Sequence, residues 1–136
     1  MITTEKAKEL LAFAAQAREN SYVPYSDFAV GAALLCSDGS VYLGCNIENA
    51  SFTPTVCAER VAIFKAVSEG KRDFCAVAVV GGKKDGAGRP YCMPCGVCRQ
   101  VLAEFCDREF CVAVEAEQGD LAVYTLAQLY PHGFGL

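Results

Sequence analysis

Histidine is nearly absent from this chain of 136 residues; the single example, His132, follows Pro131 and reads as a surface residue rather than a metal ligand. No uninterrupted apolar stretch approaches the roughly 20 residues of a membrane span. The opening Met1-Ile2-Thr3-Thr4-Glu5-Lys6-Ala7-Lys8 has neither a basic region nor an apolar one of the kind that directs secretion, so a soluble, cytoplasmic protein without a membrane partner is expected. Positive charge is in deficit: 12 Lys and Arg against 16 Asp and Glu give a net charge of −4, which disfavours nucleic acid as a partner. Repeats, low-complexity tracts and linkers are also missing. With 53% hydrophobic and 21% charged residues, disorder is excluded and a single domain over residues 1–136 is expected.

Cysteine, by contrast, is abundant at nine residues. A chain of this size can bury enough surface to need no disulfide staples. In a reducing compartment such cysteines stay free, bind metal or do catalysis, and an odd count forbids complete pairing within one chain.

The pattern of apolar residues predicts nine elements in the order α, β, β, α, β, α, β, β, α. Ala7, Leu10, Leu11, Ala14 and Ala17 mark a helix from Thr4 to Asn20, and Tyr22 to Tyr25 is a loop restricted by Pro24. Phe28 to Cys36 and Val41 to Asn46 form a hairpin across Ser37-Asp38-Gly39-Ser40. Cys57 to Glu69 is a helix closed by Gly70, and Cys75 to Val80 is a strand covered on both faces. Gly81 to Pro90 reads as an exposed loop in which Lys83-Lys84 is solvated. A helix over Gly96 to Phe105 precedes strands at Phe110 to Val114 and Leu121 to Tyr124, joined by the turn Glu117-Gln118-Gly119-Asp120. Thr125 caps a last helix through Leu129, with Gln128 at the reciprocal capping-box position and Pro131 ending it. The fold class implied is α/β: a three-layer α/β/α sandwich around one mixed five-stranded sheet. Crossovers from Val41–Asn46 to Cys75–Val80, and from there to Phe110–Val114, would make these strands parallel neighbours. The helix starts at Cys57 and Cys95 would then lie side by side.

That convergence carries the chemistry. Pro94-Cys95-Gly96-Val97-Cys98 sets two thiols three apart at a helix start, and Cys57 offers a third from the other helix. Helix N-termini favour thiolate over thiol, and three thiolates with one open position describe a catalytic zinc site better than a closed structural one. Glu59 can lean over the same helix end toward a zinc-activated water and move its proton, an effect worth roughly 10²–10⁴-fold. Three thiolates around Zn2+ leave a formal charge of about −1 (2 − 3), which Arg60 is placed to offset.

These residues resemble the cytidine deaminase family, specifically its small homotetrameric branch with three cysteine ligands. The resemblance rests on Cys57-Ala58-Glu59-Arg60 and Pro94-Cys95-Gly96-Val97-Cys98-Arg99-Gln100, with Tyr25-Ser26-Asp27-Phe28-Ala29-Val30-Gly31-Ala32-Ala33-Leu34 and Gly44-Cys45-Asn46-Ile47-Glu48-Asn49-Ala50, and it spans about Ser21 to Phe134. The Cys₃ zinc deaminase with a non-ligand glutamate is a well-described chemical arrangement. The resemblance implies that Cys57, Cys95 and Cys98 bind zinc and that Glu59 shuttles the proton while the C4 amine of a cytidine or 2′-deoxycytidine leaves as ammonia. It further implies that Asn46 and Glu48 bond the ribose hydroxyls, Phe28 packs on the base, and the Ala58 N–H meets the base carbonyl. Phe52 and Phe134 would reach into sites of neighbouring subunits of a homotetramer acting in pyrimidine salvage.

Some features depart from that family's pattern: Phe52 stands where a tyrosine is common, Pro54 is unusual, and the segment from Gly81 to Met93 is long. Rival readings also stand beside it. Cys92, Cys95 and Cys98 are evenly spaced like iron–sulfur ligands, although Leu102 occupies the place of the fourth cysteine. Cys92 could instead close the zinc shell and make a structural module. Within the enzymes, the alternative is deamination of a nucleoside antibiotic or of cytosine in nucleic acid. Asn46 and Glu48 could merely end a strand and bond their own backbone, and Cys36, Cys45, Cys75, Cys106 and Cys111 read as small core residues.

Overall fold

The hairpin at Ser37–Ser40 organises the sheet. Asp38 Oδ1 accepts from Ser40 N at 3.0 Å, Gly39 takes the left-handed φ of +91° that the turn needs, and Cys36 N donates to Ser40 O at 2.9 Å. It joins β1 (Phe28–Cys36) to β2 (Val41–Cys45), which pair antiparallel from Gly31↔Cys45 to Leu35↔Val41. The computed structural model describes residues 1–86, 90–116 and 119–136. Its remaining elements are α1 (Thr4–Arg18), α2 (Ala58–Ser68), β3 (Phe74–Lys83), α3 (Gly96–Phe105), β4 (Cys111–Glu115), β5 (Leu121–Thr125) and α4 (Leu126–Leu129).

The five-stranded sheet runs β2-β1-β3-β4-β5. The parallel pairing expected of the second crossover is present between β3 and β4, from Ala76↔Cys111 to Val79↔Val114. The first crossover differs from expectation: β3 lies beside β1, antiparallel, from Phe28↔Lys83 to Cys36↔Phe74, and β2 is left at the edge. The short hairpin binds β2 to one side of β1, so the other side of that apolar strand is the open pairing edge for β3. The pairing also extends β3 through Gly81, Gly82 and Lys83, which sequence patterning assigned to a loop. Glu117 and Gln118 of the expected turn lie outside the described residues, as does part of the expected Gly81–Pro90 loop.

Period-2 alternation along β1 and β3 sends side chains into two cores. One holds Ala33, Leu35, Ala76, Ala78 and Val80 against Ala7, Leu10, Leu11 and Ala14 of α1. On the opposite face Ala32, Leu34, Val77 and Val79 pack against Ala58, Ala62, Ile63 and Ala66 of α2, Leu102 of α3 and Leu126 of α4. This is the three-layer arrangement. Two glycines permit its closest approaches: a Cβ on Gly31 would fall 1.9 Å from Ala14 O, and one on Gly44 would fall 2.2 Å from Ala58 O.

Helix ends follow the residues that cap them. Thr3 caps α1 by accepting from Lys6 N at 3.1 Å; the helix stops at Arg18 rather than Asn20 because Glu19, Asn20 and Ser21 bond three residues back instead of four. Thr125 and Gln128 form both bonds of the expected capping box on α4. All nine cysteines are free thiols. Cys36 and Cys111 are buried as expected, whereas Cys45, Cys75 and Cys106 are only half-buried, Cys75 and Cys106 on the margins of the two cores.

No helix among the described residues is long and apolar enough to cross a membrane.

Candidate active site

Cys57 and Cys95 are themselves the N-cap residues of α2 and α3, with extended backbones and no side-chain capping bond. Their sulfurs are therefore left to face one another, 3.7 Å apart, where two helix N-termini meet. Cys98, one turn into α3 and fully buried, completes the set: the three sulfurs all lie within 4.8 Å of one another, and they form the cysteine cluster found among the described residues.

The donor set fits zinc on geometry as well as softness. Two zinc–sulfur bonds of about 2.3 Å at a tetrahedral angle place sulfurs about 3.8 Å apart, close to the Cys57–Cys95 separation. Cys92 stands outside the cluster, which corrects the four-thiol structural reading. Its sulfur packs over Gly81, where an added Cβ would come 2.6 Å from it and 3.0 Å from the Phe28 ring. Burial pushes the Cys92 thiol up to about 12, as suits an uncharged wall residue. With Cys92 outside and leucine at position 102 packed in the core, the iron–sulfur reading falls too.

Charge around the thiols is arranged by the first turn of α2. Arg60 Nη2 donates to Cys57 Sγ at 3.3 Å, while Arg60 Nε is buried without a hydrogen-bond partner among the described residues. The Cys98 thiol, donating to Cys57, pulls the Cys57 pKa down to about 5, with Arg60 and Cys95 adding to the effect against the opposing cost of burial. The same bond and its own burial drive the Cys98 thiol upward. Glu59 is only 4% exposed. Burial raises its carboxyl to about 7, and the Cys57 charge reinforces the rise. An ordinary solvated helix-start acid is thereby ruled out. Ala58, the first residue of α2, is wholly buried.

A second group of residues lies along the start of β1. Asn46 continues the β1–β2 ladder with its side chain: Nδ2 donates to Phe28 O at 2.9 Å and Oδ1 accepts from Val30 N at 2.9 Å. Asn46 thus bonds the backbone of β1, and not its own as the alternative reading expected. Each side-chain atom still keeps one free bonding position. Glu48 Oε1 accepts from Tyr25 N at 3.0 Å and Ser26 N at 3.1 Å, and Oε2 accepts from the Ser26 hydroxyl. These bonds hold the Glu48 pKa below its usual value, the Ser26 hydroxyl contributing most.

Glu48 lines a cleft of about 350 Å³ with Tyr25, Ser26, Asn49, Phe52 and Thr55. Phe52 is 73% exposed at its mouth, with a left-handed φ of +63° and its ring edge-to-face with Tyr25, the centroids 6.4 Å apart. Phe134 is 67% exposed and stands elsewhere, in a groove beside Cys106 and Tyr130.

Sequence reasoning assigned no role to four residues that shape the site. Arg99 donates to Pro94 O at 2.8 Å and Leu129 O at 2.6 Å, tying the loop before Cys95 to the end of α4. Gln100 donates to Phe134 O at 3.1 Å and accepts from Tyr130 at 2.5 Å. Tyr25 and Ser26 meet Glu48. Arg99 and Gln100 follow Cys98 directly, so the motif contained them; the partners that give them work lie some thirty residues further along.

Residues 4–114 match the family profile described as the cytidine and deoxycytidylate deaminase zinc-binding region. The chain is 54% identical over 125 residues to a cytidine deaminase of Halalkalibacterium halodurans, covering 92% of this chain and 91% of that protein. It is 50% identical over 127 residues to a cytidine deaminase of Sporosarcina psychrophila, covering 93% and 90%. Among solved structures, a cytidine deaminase from Burkholderia pseudomallei superimposes with a TM-score of 0.85 at 42% identity, covering 98% of this chain and 100% of that one.

Proposed function

This chain belongs to the cytidine and deoxycytidylate deaminase family, and from that membership we propose that it is a zinc-dependent hydrolase converting cytidine and 2′-deoxycytidine to uridine and 2′-deoxyuridine. The observation that carries this reading is the buried Glu59 carboxyl beside three thiols gathered at two helix ends. Cys57, Cys95 and Cys98 would hold the ion. Zinc, when bound, supplies Lewis acidity that makes water nucleophilic near neutral pH.

The protein's own groups account for the proton traffic. Water adds through its oxygen to C4 of the pyrimidine, the C4–N bond breaks, and ammonia leaves. Glu59 takes the proton of the attacking water, delivers one to N3, and returns another to the departing amine. A carboxyl near 7 suits both directions of transfer at neutral pH. Arg60 offsets thiolate charge through Cys57. The Ala58 N–H, at a helix start, faces the base carbonyl, and the Phe28 ring packs on the base. Asn46 and Glu48 receive the ribose hydroxyls on the bonding positions their backbone contacts leave free. Gripping both hydroxyls favours a free nucleoside over cytosine in a polymer, in line with the net charge of −4.

Phe52 and Phe134, both exposed, are read as contributions to the sites of neighbouring subunits in a homotetramer. The reading places the enzyme in the cytoplasm, in pyrimidine salvage, as a single catalytic domain over residues 1–136.

The test is ammonia release and the accompanying absorbance change with cytidine and 2′-deoxycytidine, before and after chelation and zinc restoration. Turnover is expected to vanish with the metal and return with it. Glu59→Gln should keep zinc and fold while losing about 10²-fold or more of kcat. Full activity in that variant overturns the assignment of Glu59, and four-chain mass in sedimentation tests the assembly.

A further inference from the structure

We propose that Ser26 is a positioning residue that couples ribose recognition to base packing by holding the Glu48 carboxylate and the Phe28 backbone through one hydroxyl. The inference rests on the reading of Glu48 and Phe28 as nucleoside contacts.

A serine hydroxyl has one proton to give and lone pairs to receive. Ser26 uses both capacities: it donates to Glu48 Oε2 and accepts from Phe28 N at 3.0 Å. The carbonyl of Phe28 is meanwhile held by Asn46 Nδ2 at 2.9 Å. The backbone of the base-packing residue is therefore pinned on both sides by side chains, one of them anchored to the sugar-binding carboxylate and the other itself a sugar-binding amide.

The intervening residue shows that this turn is enforced. Asp27 has φ of +58°, a region non-glycine residues seldom occupy. Its N–H donates to Val23 O at 3.0 Å and its carbonyl accepts from Lys84 N at 2.9 Å. Glu48 has about four acceptor positions and the loop already uses three. The position left for a sugar hydroxyl is on the oxygen that Ser26 also engages, so sugar occupancy and placement of the Phe28 ring are linked through a single atom.

Ser26→Ala in the zinc-loaded enzyme is expected to raise KM for cytidine about tenfold, the scale of a hydrogen bond to a charged group, with kcat within about twofold of wild type. Ser26→Thr, which keeps the hydroxyl, should restore KM to within about threefold. In a Glu48→Ala background the Ser26→Ala change should add less than about twofold, because the carboxylate through which it acts is gone. Zinc content and melting temperature, measured alongside, separate this from a general loss of fold. An unmoved KM in Ser26→Ala with active wild type overturns the inference alone, as does a full tenfold effect in the Glu48→Ala background or a threonine variant no better than alanine. Zinc-loaded wild type that leaves cytidine unchanged overturns the functional reading, and this inference with it.

Discussion

Arg60 donates to the sulfur of Cys57 across 3.3 Å, from the first turn of the very helix that Cys57 caps. One short stretch of chain thus supplies the thiol proposed to hold the metal, the buried carboxyl proposed to carry the proton, and a countercharge.

Removing the countercharge should be costly. Arg60→Gln is expected to lower kcat by about tenfold or more, since a hydrogen bond to a charged group contributes about 1.5–3 kcal/mol. It should also weaken zinc retention in chelator competition, because Cys57 loses one of the interactions that hold its pKa down. Unchanged turnover together with an unchanged pH–rate profile would refute the role.

The metal-free chain should show the signature of a buried carboxyl. Glu59 binds its proton more tightly folded, about 7, than unfolded, 4.5, so its contribution to stability is fully present below about pH 4.5 and is lost as pH rises through 7. That rise corresponds to about 3 kcal/mol at 1.36 kcal/mol for each pH unit. Cys57, lowered to about 5, acts in the opposite sense. Comparison with Glu59→Gln isolates the carboxyl: in reducing buffer the variant's stability advantage, read from urea unfolding, should grow by about 3 kcal/mol between pH 4.5 and 7. A constant gap would mean that Glu59 is not buried as an acid.

Two glycines should respond differently to a single methyl group. Gly31→Ala sets a Cβ 1.9 Å from Ala14 O and pushes α1 away from β1; Gly44→Ala sets one 2.2 Å from Ala58 O and 2.7 Å from Ala62 N, at the start of α2. Both should destabilise by about 1–3 kcal/mol. Only Gly44→Ala shifts the helix end bearing Cys57 and Glu59, so it alone should lose zinc affinity and turnover at temperatures where both variants stay folded. Equal losses of zinc in the two would count against this separation.

Glu48→Ala is expected to raise KM for cytidine by about tenfold or more while leaving zinc content unchanged, because the carboxylate lies among the loop bonds and not among the thiols. If nucleoside affinity is unaffected, the ribose assignment is wrong.

Local chemistry was legible wherever partners are close in sequence. The Ser37–Ser40 turn and the Thr125–Gln128 capping box follow from residues within a few positions, and both took the expected form. The thiol set was legible because Cys57 and Cys95 each begin a helix and so project at its open end. The burial of Glu59 had a sequence sign as well: it precedes Ile63 by four residues, on the same buried side of α2. The partner of β3 was not legible, because its pairing with β1, antiparallel, in place of β2, parallel, depends on which edge the hairpin leaves free. Ser26 was missed for a similar reason. Ser26 sits within the motif of residues 25–34, but its partner shows only once Glu48, far along the chain, is folded onto it.

Asn46 lengthens the sheet by one further rung with an amide borrowed from its side chain. An aspartate there would give up the donor to Phe28, and a leucine both bonds, so a substitution meant to alter the proposed sugar contact also frays the strand that carries Phe28. Engineering of the nucleoside preference is therefore better begun at the exposed rim, at Phe52 or Tyr25, where a changed side chain leaves the framework intact.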